Sequence, residues 1–340
     1  MKYKYIDLAN QIREDIDKNY SDGDKYLSNR ELQSKFNVSS ITIMKALDKI
    51  ISDGVLVPNV GIGMFVSKNA NTNSKLVNYL MVYDRDIHGD EYSNSVYANF
   101  LKASTNRNIA ITYAYYADLN KVTLSNTDGV IFLSPINKYY NYINSFVKKD
   151  IPMLVFADHS EELKVPTVDS DIEDACEKIV ADIASKNRKS IAYVTYPNNK
   201  FHTILRKNMI RSLAEGYNIK ALEENVISSN YHTFEYENKK SLFKVMDKKD
   251  YPDVLVFDTC ALSLNVILDY IKDLNIKIGS DLLVYCFDKM NSKYFTDNLV
   301  SYAEQPIYKM ALSAIDCLDA QRNNKEIEKN KKLPCKLHFS

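Results

Sequence analysis

The chain has no tryptophan, no CxxC pair and no net charge. Each absence excludes something. The five cysteines, Cys176, Cys260, Cys286, Cys317 and Cys335, are too dispersed for a zinc knuckle or a disulfide framework, and reduced thiols are expected. Lys plus Arg and Asp plus Glu number 44 each, so no global field announces a polyanionic partner. Any nucleic-acid surface must therefore be local. The longest apolar runs, such as VLVF at 254–257, are strand-sized. They fall far short of the ~20 residues of a membrane helix. The opening stretch, MKYKYIDLANQIRED, is amphipathic and lacks the apolar core of a signal peptide, which leads us to expect a cytoplasmic protein.

Catalytic signatures are missing too. His88, His159, His202, His232 and His338 are scattered, with no HExxH, GxSxG or Cys–His motif. Asp84-Arg85-Asp86 and Asp169-Ser170-Asp171 read as turn chemistry before they read as metal ligands. Gly61-Ile62-Gly63 has no GKS or GKT after it and no strand-to-helix setting, so it is no phosphate loop. We expect no enzyme activity, no cofactor and no metal.

What is present begins with a helical stripe. Tyr5, Leu8, Ala9, Ile12 and Ile16 lie on one face over 5–18, with Asp7, Arg13, Glu14 and Asp17 opposite. Ser28 and Glu31 form a capping-box pattern that opens a second helix over 28–36. After a turn at Asn37-Val38, Ser39 caps a third helix over 40–53. Its inward residues are Ile43, Ala46, Leu47, Ile50 and Ile51; Ser40, Met44, Lys45, Asp48 and Lys49 face outward. Beyond Gly54, VLVPNVGIGMFVS reads as two short strands around a glycine-containing turn. Three helices and a hairpin make a winged helix-turn-helix over 1–68. Its charge is concentrated: residues 25–51 carry five basic and two acidic side chains, whereas 1–68 carry ten and nine. That focus suits DNA, although winged helices also serve as protein-binding modules.

Residues 69–75 are a polar linker. Strand-like segments then recur at 76–83, 109–116, 128–133, 152–157, 190–195, 253–257 and 282–287. Helical segments alternate with them near 94–107, 138–149, 171–186, 200–216, 238–248 and 261–274. This spacing predicts βαβ units, and its length predicts two α/β subdomains with a cleft between them.

Two stretches resemble known families. YIDLANQIREDI, the SxREL entry at 28–32, VSxxTxxxAL at 38–47 and GxGxFV at 61–66 resemble the DNA-binding domain of GntR-type bacterial regulators. The resemblance implies that Arg30, Ser39, Thr42 and Gly61 contact an operator. Ser40 and Met44 stand where the family carries arginine, with Lys45 beside the second. A less guanine-dependent operator follows, with Met44 able to touch thymine methyls.

From residue 76 the chain resembles the LacI-type, periplasmic-binding-protein-like effector domain. DGVIFLSP at 128–135, IPMLVFAD at 151–158, VPTVDSD at 165–171, LLVYCFD at 282–288, AEQPIYKMALSAIDCL at 303–318 and LPCKLHF at 333–339 carry it. The resemblance implies a fold with subdomain 1 at about 76–168 and 299–322, and subdomain 2 at about 169–298 and 323–340. It also implies a small, sugar-like effector in the cleft. Asp84, Tyr92, Ser134, Arg206 and Asp288 take the places of its contacts, with Met209-Ile210 where RxxGF has Gly-Phe. Together these readings imply a multidomain repressor that binds a double-stranded DNA operator as a homodimer, away from membranes.

Overall fold

The computed structural model describes residues 4–59, 62–67, 76–84, 91–105, 107–121, 124–149, 151–195, 200–222, 246, 251–259, 262–289 and 291–340. The chain forms two compact units, Met1–Val77 with Asn108–Ala110, and Asn78–Arg107 with Ile111–Ser340. No helix among the described residues is long and apolar enough to cross a membrane. The expected linker lies wholly outside the described residues, and the expected helix at 238–248 does so but for Met246.

In the first unit, α1 (Lys4–Asn19), α2 (Asn29–Phe36) and α3 (Ser40–Ser52) precede β1 (Leu56–Asn59) and β2 (Gly63–Val66). The Ser28 backbone N–H donates to Glu31 Oε2 at 2.7 Å while the Glu31 N–H donates back to Ser28 Oγ at 3.4 Å. This closes the box that starts α2. Asn37 ends it at φ 53°, a left-handed turn that asparagine tolerates. Leu8, Ile12, Ile16, Leu32, Ile43, Ala46, Leu47, Ile50, Leu56 and Val66 form one buried cluster, so every element donates to a shared core. Gly63 sits at φ 135°, and a Cβ there would meet Lys25 Cε at 2.9 Å. The end of the Lys25 side chain could move aside, so it is the positive φ that calls for glycine here.

The second unit holds two six-stranded sheets. The first has the order β13-β7-β6-β5-β3-β4, from β3 (Val77–Tyr83), β4 (Ile109–Tyr115), β5 (Gly129–Leu133), β6 (Met153–Phe156), β7 (Thr167–Asp171) and β13 (Asn330–Pro334). The second has the order β14-β12-β11-β10-β8-β9, from β8 (Ser190–Val194), β9 (Lys220–Leu222), β10 (Val254–Phe257), β11 (Leu283–Phe287), β12 (Ser301–Glu304) and β14 (Lys336–His338). Central strands such as β5, β6, β10 and β11 are buried along their whole length. That is the reason they read as unbroken apolar runs: parallel sheets covered on both faces need no polar side.

Helices α4 (Glu91–Ser104), α5 (Tyr140–Ser145), α6 (Ile172–Ser185), α7 (Phe201–Gly216), α8 (Leu262–Asp273), α9 (Lys293–Thr296) and α10 (Ile307–Arg322) complete the unit. The helix expected over 138–149 is instead a 3₁₀ turn, the short α5 and a second 3₁₀ turn. Ile172, Cys176, Ile179, Val180 and Ile183 of α6 pack on Tyr193, Val256 and Tyr285 of the second sheet. Leu264, Ile267, Leu268 and Ile271 of α8 join a cluster with Ala192, Val194, Leu255 and Val284, whose side chains alternate along the same strands.

The chain passes between sheets three times: from β7 into α6, from β12 into α10, and from β13 into β14. Two of these crossings depart from the expected boundaries. Residues 301–304, expected in subdomain 1, pair with β11 in the second sheet. Residues 330–334, expected in subdomain 2, pair with β7 in the first. SYAE and NKKLP carry too few apolar residues for their pattern to show which sheet receives them. Helix α10 does return to the first sheet, where Gln321 Nε2–H donates to the Met153 carbonyl at 2.9 Å and Arg107 meets Asp316 at 2.6 Å.

Candidate functional site

The outward surface of the helix-turn-helix is built by α2 and α3. Arg30 is exposed on α2, and Ser40, Met44 and Lys45 are exposed on α3. Ser39 is the cap of α3, accepting the Thr42 N–H at 3.4 Å, and its hydroxyl lies 2.9 Å from the Thr42 hydroxyl. Those two side chains are therefore engaged in starting the helix. Gly61 lies outside the described residues. Several cations of this unit are tied to carboxylates: Lys35 to Asp15 at 2.7 Å, and Arg13 and Lys49 to Asp53 at 2.5 and 3.5 Å. Among the described residues, no ion pair holds exposed Arg30, Lys45 or Lys25, which leaves them available to phosphates. Sequence reading overlooked Ile41, which is 69% exposed at the start of α3. An apolar residue off the core stripe gave no signal of its own.

In the second unit, polar groups gather at the carboxyl ends of the strands, where open α/β sheets bind ligands. Ser134 follows β5, Asp158 follows β6, Asp258 follows β10 and Asp288 follows β11, and all four are buried. Ser134 at φ 40°, Ala157 at φ 60° and Asp288 at φ 67° all adopt left-handed backbone. Such strain collects where surrounding structure holds a site in shape.

Arg206 on α7 is buried and lies over the Phe287 ring, 4.1 Å from its centroid. Its guanidinium donates to the Asp258 carbonyl at 2.8 Å and stands 3.6 Å from Asp258 Oδ1. Burial works against this charge, but Asp258 and Asp288 more than offset it and raise its pKa further. Its Nε–H is buried without a hydrogen-bond partner. Asp258 also accepts from the hydroxyls of Tyr193 at 3.0 Å and Thr203 at 2.8 Å. Asp288 is pushed up by burial, partly countered by Arg206 and Gln305. Gln305 holds both its oxygens, through Nε2–H at 2.7 Å and the backbone N–H at 3.3 Å.

Beside this set is a cavity of about 360 Å³ whose lining includes Tyr92, Ser95 and Asn99 of α4, Asp288, Gln305 and Ile307. Of the expected contacts, Tyr92 and Asp288 share this cavity, and Arg206 is coupled to Asp288 through charge. Ser134 and Arg206 are outside its lining; Ser134 Oγ is 3.5 Å from Nδ1 of His202, one turn before Arg206. Burial, with Arg206 and Lys200 nearby, depresses the His202 pKa well below its ordinary value, so the ring is neutral. Asp84 also lies off the cavity, and its charge acts on buried Tyr116.

Sequence reasoning placed Asp258 where the family has Asn-Asp but did not count it among the contacts, and it assigned no role to His202, Gln305 or His159. His159 bridges Asp169 at 2.7 Å and Glu173 at 3.0 Å, Lys332 meets Glu173 at 2.5 Å, and Phe201 packs edge-on at 4.8 Å. Only the position of Asp258, directly after an apolar strand, was a usable signal. Among the described residues no group of three or more His, Cys, Asp or Glu could hold a metal.

Comparison with known proteins agrees with both units. Residues 4–66 match the family of bacterial regulatory proteins, gntR family, and residues 180–339 match the periplasmic binding protein-like domain. No curated protein matches the chain in sequence. A LacI family transcription regulator from Clostridium acetobutylicum is similar in structure at a TM-score of 0.64 and 18% identity, over 77% of this chain and 99% of that one. GanP, a glucose-galactose binding protein from Geobacillus stearothermophilus, is similar at 0.66 and 15%, over 78% and 98%. The Escherichia coli transcriptional repressor ascG is similar at 0.64 and 13%, over 77% and 97%. At these identities the likeness is one of fold. The chain is a DNA-binding transcription regulator in which a GntR-type helix-turn-helix domain precedes a periplasmic-binding-protein-like domain.

Proposed function

We propose that the protein is a repressor whose hold on its operator is set by a sugar or sugar derivative bound in the cleft of the second unit. The observation that carries this reading is the meeting of Arg206 on α7 with Asp258 and Asp288 at strand ends, beside a cavity bordered by Tyr92. Carboxylates and a guanidinium fix neighbouring hydroxyls through paired, charge-assisted hydrogen bonds, and a tyrosine ring offers a face to a pyranose or furanose. The names of similar structures point the same way: GanP is a glucose-galactose binding protein, and a protein from Burkholderia thailandensis is named a putative ribose operon repressor.

Two protomers on a two-fold operator would set the spacing of the reading heads, and a ligand favouring one arrangement of the two sheets would shift that spacing. Its family and fold are those of transcription regulators, and we place its work in the cytoplasm, where the operator is. We assign it neither turnover nor a cofactor. Nothing favours the reading in which the winged helix meets a protein.

A thermal-shift screen of sugars and sugar phosphates tests the proposal, followed by gel shifts with the hit. A ligand at ~100 times its dissociation constant adds about 2.7 kcal/mol of apparent stability. Tyr92→Ala should abolish this shift and the ligand's effect on operator binding, yet leave operator binding itself intact. Equal loss of both would remove Tyr92 from the ligand site.

A further inference from the structure

The reading surface of α3 is apolar at its centre. Helix-turn-helix proteins reach base edges with the N-terminal residues of this helix. Here those residues are Ser40, Ile41, Thr42, Ile43 and Met44. Ile43 is fully buried, and Thr42 is turned back to the Ser39 cap. What remains for a groove is Ser40, Ile41 and Met44, with Ile41 69% and Met44 53% exposed.

The helix has no Arg, Asn or Gln, and of the side chains that pair with guanine or adenine it carries only lysine. Its two lysines differ: Lys49 is 3.5 Å from Asp53, whereas Lys45 is exposed, beside exposed Asp48. Neither Ile41 nor Met44 belongs to the core cluster of this unit. Isoleucine is also a poorer helix former than alanine or glutamate, so helix stability does not explain it. The major groove presents one apolar feature to such a surface, the C5 methyl of thymine.

From these observations we infer that Ile41 and Met44 read thymine methyl groups, so that the operator half-site is specified by thymine rather than by guanine. The inference rests on the reading of the protein as an operator-binding regulator. Residues three apart on a helix have Cβ atoms about 5–6 Å apart. That spacing covers one to two base-pair steps of ~3.4 Å, so the pair contacts adjacent thymines. Arg30 and Lys45 flank this apolar centre and supply the phosphate contacts that hold the register.

Deoxyuridine in place of thymidine removes only the methyl group. The full-length protein should first be used to select its site from a random duplex library. Each thymine of that site is then replaced singly by deoxyuridine, and dissociation constants are compared at fixed salt. At one or two adjacent positions the loss should be about threefold to fivefold, as expected for one buried methyl. Ile41→Ala and Met44→Ala should bind more weakly and no longer distinguish thymine from uracil at those positions. Both side chains are exposed, so unchanged melting curves will show the variants are folded.

Selective binding with no methyl-sensitive position, or methyl sensitivity that survives both substitutions, overturns the inference and leaves the regulator reading standing. Absence of any sequence-selective binding overturns both.

Discussion

Ser170 and Gln305 meet at 2.8 Å although 135 residues separate them, with the Ser170 hydroxyl donating to Gln305 Oε1. Ser170 is at the end of β7 and Gln305 just past β12, so each stands at a crossing between the sheets. Gln305 also donates to Asp288, which joins the crossings to a carboxylate of the cleft. Replacing Gln305 by Leu leaves Ser170 and Asp288 buried without this partner. We expect about 1–3 kcal/mol of lost stability in denaturant titrations, together with a weakened response to ligand. Lost stability with an unaltered response would make the contact structural only.

Arg206 and Asp258 form a buried pair, both nearly inaccessible to solvent. Arg206→Met leaves the carboxylate without its cation and should cost on the order of 3 kcal/mol. Combining it with Asp258→Asn should recover part of that loss. A double-mutant cycle by chemical denaturation measures the coupling, and additive effects would show that the pair does not act as one.

Protonation supports the second unit at low pH. Burial drives His159 down, but hydrogen bonds to Asp169 and Glu173 outweigh it and carry its pKa from 6.5 to about 9. A folded pKa above the unfolded one gives stability that is complete below pH 6.5 and lost as pH rises through 9. Its size is on the order of 3 kcal/mol. Burial also pushes Asp158 up to about 7, which makes stability fall as pH rises from 3.8 to 7. Glu173, held near 2 by His159 and Lys332 against its own burial, stays ionised throughout. Below pH 6.5 His202, held neutral by burial, opposes Asp158, so melting temperature should decline over pH 7 to 9, and His159→Gln should flatten that decline.

Arg30 is exposed and makes no ion pair among the described residues. Arg30→Ala should weaken binding to all DNA sequences alike and reduce the salt slope, −∂log K/∂log[salt], by about 1. Unequal loss across operator variants would instead make Arg30 a base reader.

The helix-turn-helix was legible almost to the residue. Its stripe at Leu8, Ile12 and Ile16, the Ser28–Glu31 box and the Ser39 cap are local signals, set by neighbours three or four positions away. Ile41 escaped notice because exposure is a property of what packs nearby, and here it leaves the side chain 69% exposed. In the second unit the apolar strands announced themselves, whereas SYAE at β12 and NKKLP at β13 gave no hint of which sheet would take them.

By its own pattern, the sequence determined two units and their classes; the assignment of α3 to DNA came from the resemblance. Local propensity and the spacing of apolar residues need no distant partner. Tertiary structure alone decided that Asp258 faces Arg206, that Gln305 links Ser170 to Asp288, and that His159 sits between two carboxylates. Each of these depends on which strand ends are brought together by parallel pairing across long crossovers. Such pairing is a global outcome of burial, and no short stretch of residues encodes it.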